Sequence, residues 1–184
     1  MTTRPLRADA RDNRARILRA GTEVFGTEGP AASTEEVARR AGVGIGTVFR
    51  HFPTKQDLLN AVFTTRLEQL RDRARELAAA TDPGEAFHTF FREVVAGAPS
   101  KLAIAESLTD PTGAAEAGSE LREAFGVLLE RAQAAGAVRR DVAAPEVFGL
   151  MIGISRATRS ALSEAAVRDK ALGVVFDGLT TRHR

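Results

Sequence analysis

The stretch from Ser33 to Lys55, STEEVARRAGVGIGTVFRHFPTK, constrains this chain more than any other. Ser33 followed three residues later by Glu36 has the form of a capping box, so a helix starts there. Val37, Ala38 and Ala41 form its apolar side, and Gly42 follows where the chain must turn with positive φ. The pattern predicts a second short helix from about Ile45 to His51, with Val48 and Phe52 inward and Thr47, Arg50 and His51 outward. Phe52-Pro53 closes it, because a proline disfavours helical geometry at the residue before it. Two short helices joined by a glycine turn make a helix-turn-helix, whose second helix fits a DNA major groove.

The stretch resembles the TetR (tetracycline-repressor-like) family of transcriptional regulators. Ile17, Leu18, Phe25, Gly29, Ser33-Thr34, Val37-Ala38, Ala41-Gly42-Val43, Gly46-Thr47, His51-Phe52, Lys55 and Leu58-Leu59 fall at that family's spacing, over roughly Arg14 to Phe63. Two positions depart from it. Phe49 stands where the family usually has Tyr, whose hydroxyl reaches a phosphate, and Gly44 stands where Ser often caps the helix. Gly caps nearly as well as Ser, so the helix survives with one polar contact fewer.

The total charge is only +2, but it is unevenly placed. Residues 1–56 hold ten Lys/Arg against six Asp/Glu, and the remainder holds sixteen against eighteen. A basic N-terminal part beside a mildly acidic remainder suggests one end that faces nucleic acid. The absence of Cys removes disulfides, thiolate metal sites and Cys nucleophiles. No apolar run reaches membrane-spanning length and no secretory core is seen at the N-terminus, so a cytoplasmic protein is expected.

Along the chain, residues 1–10 are expected to be a disordered basic arm, 11–56 a helix-turn-helix domain and 57–184 a ligand-binding and dimerisation domain. A first helix is predicted from about Arg11 to Thr27. Thr54, with Asp57 three residues on, starts a long helix with Leu58, Leu59, Val62, Phe63, Leu67 and Leu70 as its stripe. Asp82-Pro83-x-Glu85 starts another, carrying Phe87, Phe90, Phe91, Val94 and Val95. Further helices are predicted around Lys101–Ser107, over about Ala114–Ala135, from Pro145 to about Leu162, and over about Glu164–Leu179. The fold expected is all-α with about nine helices.

Candidate DNA contacts are Ser33, Thr34, Gly44, Ile45, Gly46, Thr47, Phe49, Arg50, His51 and Lys55. Arg50 can make a bidentate contact to a guanine edge, and Ile45 and Thr47 can touch a thymine methyl. Gly46 permits close backbone approach. His51 suits either phosphate contact or packing. Lys55 lies in the first turn of the long helix, where positive charge opposes the helix dipole, which favours a phosphate-facing role; the resemblance implies the same. Ser33 and Thr34 are first a cap, and the same helix start can donate N–H groups to a phosphate. Arg4, Arg7, Arg11 and Arg14 suit either an arm reaching a neighbouring groove or a solubilising tail.

The residues Phe87, Phe90, Phe91 and Phe125 could line a cavity, although aromatic stripes at helical spacing are usually plain core. The resemblance implies a ligand cavity there, lined with Phe63, Leu67, Val94, Leu121, Leu128 and Met151, with His88 or Arg92 as polar handles. The penultimate helix is apolar around much of its circumference, which requires burial on two sides. The family dimerises through its last two helices, so the resemblance implies a homodimer through Phe148, Gly149, Ile152, Gly153, Ala171, Val174 and Val175.

The function expected is a one-component regulator, a repressor that binds a palindromic double-stranded operator as a homodimer and is released by a small, largely apolar effector. No cofactor, metal or membrane partner is called for. A DNA-compacting protein would be basic throughout, against the acidic remainder seen. An enzyme would need a convergent catalytic set, and His51, His88 and His183 stand at no metal-ligating or catalytic spacing.

Overall fold

The computed structural model describes residues 4–110 and 112–181, and among them are nine α-helices and no strand. They are α1 Arg4–Thr27, α2 Thr34–Ala41, α3 Ile45–His51, α4 Lys55–Ala78, α5 Pro83–Ala96, α6 Ala98–Ser107, α7 Ala115–Ala134, α8 Ala144–Ala157 and α9 Ala165–Leu179, with one 3₁₀ turn at Thr112–Ala114. The all-α architecture expected from sequence is the one observed. No helix among the described residues is long and apolar enough to cross a membrane.

The helix starts follow local chemistry. Ser33 Oγ accepts from the Glu36 N–H at 3.1 Å, but the reciprocal half of the expected box is diverted. The Glu36 carboxylate instead takes a two-pronged bond from Arg39, at 2.6 and 2.8 Å, and Arg39 holds its acid below the usual carboxylate range. At Thr54 both halves form: the Asp57 N–H reaches Thr54 Oγ1 at 3.1 Å, and the Thr54 N–H reaches Asp57 Oδ2 at 2.9 Å. Asp82 caps α5 through the Glu85 N–H at 3.0 Å. Gly42 ends α2 at φ +65°, where an L side chain would be strained.

Three boundaries differ most from the sequence reading. Helix α1 begins at Arg4 rather than Arg11, so the described part of the expected disordered arm is helical; residues 1–3 of that arm lie outside the described residues. Pro5 is tolerated in a first turn, and Leu6, Ala8 and Ala10 are good helix formers. Helix α8 ends at Ala157 rather than Leu162. There the buried Thr158 donates its hydroxyl to the Ser155 carbonyl at 2.7 Å, offering that backbone group an alternative to continued helix.

The third difference is the domain boundary. The chain forms two compact units: one runs up to Arg66 and includes Ser100–Ala115, the other comprises Leu67–Pro99 and the chain from Glu116 onward. The boundary thus lies within α4 rather than at residue 56. In the first unit Ile17, Val24, Phe25, Val37, Val48, Leu58 and Val62 form a fully buried core. Ile104 of α6 joins that core, and Gln56 fixes the end of α6 by donating to the Ser107 carbonyl at 3.2 Å. In the second unit Phe87, Phe90, Phe91, Phe125, Leu128 and Met151 are the centre of a separate core.

Candidate nucleic-acid interface

Helix α3 is anchored by Val48, which is 0% exposed, and by its C-cap residue Phe52, at 3%. Burial of those two side chains turns the opposite face outward. Gly44, Ile45, Gly46, Phe49 and Arg50 are exposed, and Thr47 and His51 are half-buried. Arg50 is exposed and makes no hydrogen bond or ion pair with another described residue, so its five donors remain available. No atom lies within 4 Å of where a Cβ would stand on Gly44 or Gly46, so that end of α3 is open to approach.

The flanking candidates divide. Ser33 is exposed, but Thr34 is only 8% exposed, so its side chain faces the first core rather than a phosphate. Lys55 Nζ donates to the Ala31 carbonyl at 3.1 Å, tying α4 to the segment before α2. Two of its three N–H bonds stay free for an anion. Arg14, considered as part of an arm, places its guanidinium 5.2 Å from the Phe52 ring centre, a cation–π contact on the α3 cap. Arg16 was missed by sequence reasoning. It donates to the carbonyls of Ala41 and Gly42, each at 2.7 Å, and so clamps the turn between α2 and α3 from α1. Its only sequence signal is a basic residue on the polar side of α1, which many surface arginines share.

In the second unit the aromatic residues are brought into ring contact. Phe125 lies 6.2 Å from Phe87, 6.0 Å from Phe90 and 5.5 Å from Phe148, centre to centre. Val94, Leu121, Leu128 and Met151 are buried in the same cluster and Leu67 packs against it. Phe63 does not belong with them. It packs on the first core, because the α4 stripe changes the core it serves between Phe63 and Leu67. His88 and Arg92 both meet Phe176 of α9: the imidazole centre is 4.4 Å from the ring centre, and the guanidinium 5.1 Å. Burial, with Arg92 nearby, pushes the His88 pKa down.

The inward side of α8 is Val147, Met151 and Ser155, and its C-cap residue Thr158 is buried with them. Ser155 Oγ has no hydrogen-bond partner, an unusual state for a buried hydroxyl. The outward sides of α8 and α9 carry Gly149, Leu150, Gly153, Val167 and Val174, all exposed, with Val174 at 73%. Ile152 and Ala171 are half-buried, whereas Phe148 and Val175 pack on the unit's own core.

Comparison with known proteins agrees with this architecture. Residues 17–62 match the bacterial regulatory proteins of the tetR family, and residues 82–181 match the SbtR-like transcriptional regulator C-terminal domain. A TetR transcription regulatory protein of Mycobacterium vanbaalenii is 38% identical, with a TM-score of 0.77, over 96% of this chain and 100% of that one. A TetR transcriptional regulator of Streptomyces coelicolor is 31% identical, with a TM-score of 0.76, over 92% and 99%. An uncharacterised helix-turn-helix regulator of Pseudomonas putida, TtgW, is 42% identical over 34% of this chain. The chain spans about half the length of that curated relative, 48%. With both halves matched in order, the chain belongs to the TetR family of DNA-binding transcriptional regulators.

Proposed function

We propose that this regulator is a repressor that binds a palindromic operator as a homodimer and releases it on binding a small, largely apolar ligand. The observation that carries the DNA part is the outward face of α3, where Arg50 stands exposed and without a protein partner above the buried Val48. A free guanidinium suits a guanine edge, while Lys55, already tied to a loop carbonyl, suits a phosphate. Ser33, at the start of α2, and His51 are the remaining phosphate candidates.

The homodimer reading rests on the exposed apolar positions of α8 and α9 and on the open space above Gly149 and Gly153, which lets a second helix approach closely. The ligand reading rests on the aromatic core of the second unit and on the unpartnered Ser155 hydroxyl, a polar handle for an otherwise apolar molecule. Helix α4 contributes residues to both compact units without a break. A ligand that fits only one arrangement of α4 would therefore shift the population of DNA-binding dimers. Dimeric readers place their two recognition helices about 34–36 Å apart, one turn of DNA.

The test is a pair of binding isotherms, to a duplex selected from a random library and to its scrambled version. Arg50→Ala is expected to lower the preference for the selected duplex by about 1–3 kcal/mol. Lys55→Ala is expected to weaken both duplexes alike. If Arg50→Ala leaves the preference intact, the base-reading role of this face is wrong.

A further inference from the structure

We infer that Ile45 and Phe49 read thymine methyl groups, so that the half-site of this regulator carries thymines beside the base contacted by Arg50. This rests on the proposed reading of α3 as the base-reading helix, and adds the chemistry of the sequence it selects.

Only six large hydrophobic side chains are exposed among the described residues, and two of them, Ile45 at 37% and Phe49 at 42%, sit on the seven-residue helix α3. The helix does not need them outward for solubility, and its anchoring is complete with Val48 and Phe52. They stand four residues apart, one helical turn, and so share a side. Arg50 follows Phe49 about 100° further round the helix and is exposed as they are, so one docked duplex can meet all three. Their surface belongs to the helix-turn-helix through which the family binds DNA, and among the described residues nothing beyond the adjoining backbone lies within 4 Å of a Cβ position on Gly44 or Gly46.

The occupant follows from what a major groove offers. Base edges there present hydrogen-bond donors and acceptors and a single apolar group, the C5-methyl of thymine. A phenyl ring can neither donate to a phosphate nor accept from a base amine, so Phe49 gains nothing from those neighbours. Against a thymine methyl both partners leave water. Ile45, one turn earlier, does the same toward a neighbouring base pair.

The experiment isolates the methyl. Full-length protein selects its preferred duplex from a random library at fixed salt. Each thymine of that duplex is then replaced in turn by deoxyuridine, which keeps the pairing and removes only the C5-methyl. At least one replacement per half-site is expected to weaken binding about fourfold, the factor that accompanies loss of one buried methyl. Phe49→Ala is expected to abolish the effect at one thymine and Ile45→Ala at another. Both positions are exposed, so melting temperatures should not move.

If the selected duplex is preferred but every deoxyuridine version binds as well as the parent, the methyl reading is overturned and the base-reading role of α3 stands. The methyl reading is equally overturned if the half-site lacks thymine beside the guanine, or if both variants keep the full deoxyuridine sensitivity. If no sequence is preferred at all, the base-reading proposal fails, and this inference fails with it.

Discussion

Helices α1 and α4 approach so closely at Gly21 that a single methyl group has no room. A Cβ built there would lie 2.8 Å from Val62 Cγ2, with Phe25 Cε2 at 3.7 Å and Leu58 Cδ1 at 3.8 Å. Carbon atoms rest about 3.5–4.0 Å apart, so the Gly21→Ala methyl must push Val62 back by roughly 0.7 Å. Val62 is 0% exposed and β-branched on a helix, where one χ1 rotamer dominates, so it cannot swing aside. Overpacking of this kind costs ~1–3 kcal/mol. Alanine also gains about 0.8–1.0 kcal/mol over glycine in a helix interior. The two effects separate by comparison with Gly126→Ala in α7, where no atom lies within 4 Å of the new Cβ and only the helix gain applies. Gly21→Ala should therefore be less stable than Gly126→Ala by ~1–3 kcal/mol, read from urea midpoints and slopes. In melting temperature that is roughly 2–4 °C per kcal/mol for a chain of this size. The cost of Gly21→Ala should shrink in a Val62→Ala background, because the two sites share the contact. If Gly21→Ala stabilises the protein as much as Gly126→Ala does, the close approach of α1 and α4 is refuted.

Three other outcomes are expected. Phe49→Tyr keeps the exposed ring and restores a hydroxyl, so operator binding should tighten by about 0.5–1.5 kcal/mol; unchanged affinity in a binding isotherm would show that no phosphate lies in reach. Val174→Asp alters a side chain that is 73% exposed, so the helical content of each protomer should hold, while sedimentation should show monomers, since association would bury an unpaired charge. A wild type that sediments as a monomer at micromolar concentration would remove the homodimer. Burial, with Arg92 nearby, lowers the His88 pKa, so the unfolded chain binds its proton more readily. Stability contributed by the neutral imidazole is then present above the ordinary His pKa of about 6.5 and declines as the pH falls below it. His88→Gln should flatten that part of the melting-temperature profile, and an unchanged slope would place the titration elsewhere.

What the sequence alone determined is what lies within a few residues of its cause. The caps at Ser33, Thr54 and Asp82 and the left-handed turn at Gly42 could be read directly, because each depends on one side chain and the backbone three or four positions away. The outward face of α3 followed for the same reason: once Val48 and Phe52 are inward, helical geometry places Ile45, Phe49 and Arg50 outside. Tertiary structure decided everything that needed a distant partner. Periodicity along α4 shows a stripe but not that Phe63 serves one core and Leu67 another. Nothing in the residues around Ile104 says that α6 completes the first unit, since that core's Leu58 and Val62 lie far back along the chain. The half-box at Ser33 failed because Arg39 competed for Glu36, and α8 stopped early because a buried Thr158 found the Ser155 carbonyl. Local hydrogen bonds have few alternatives and can be enumerated from sequence. The choice among apolar partners and among rival charged ones is settled only when packing brings all of them within reach.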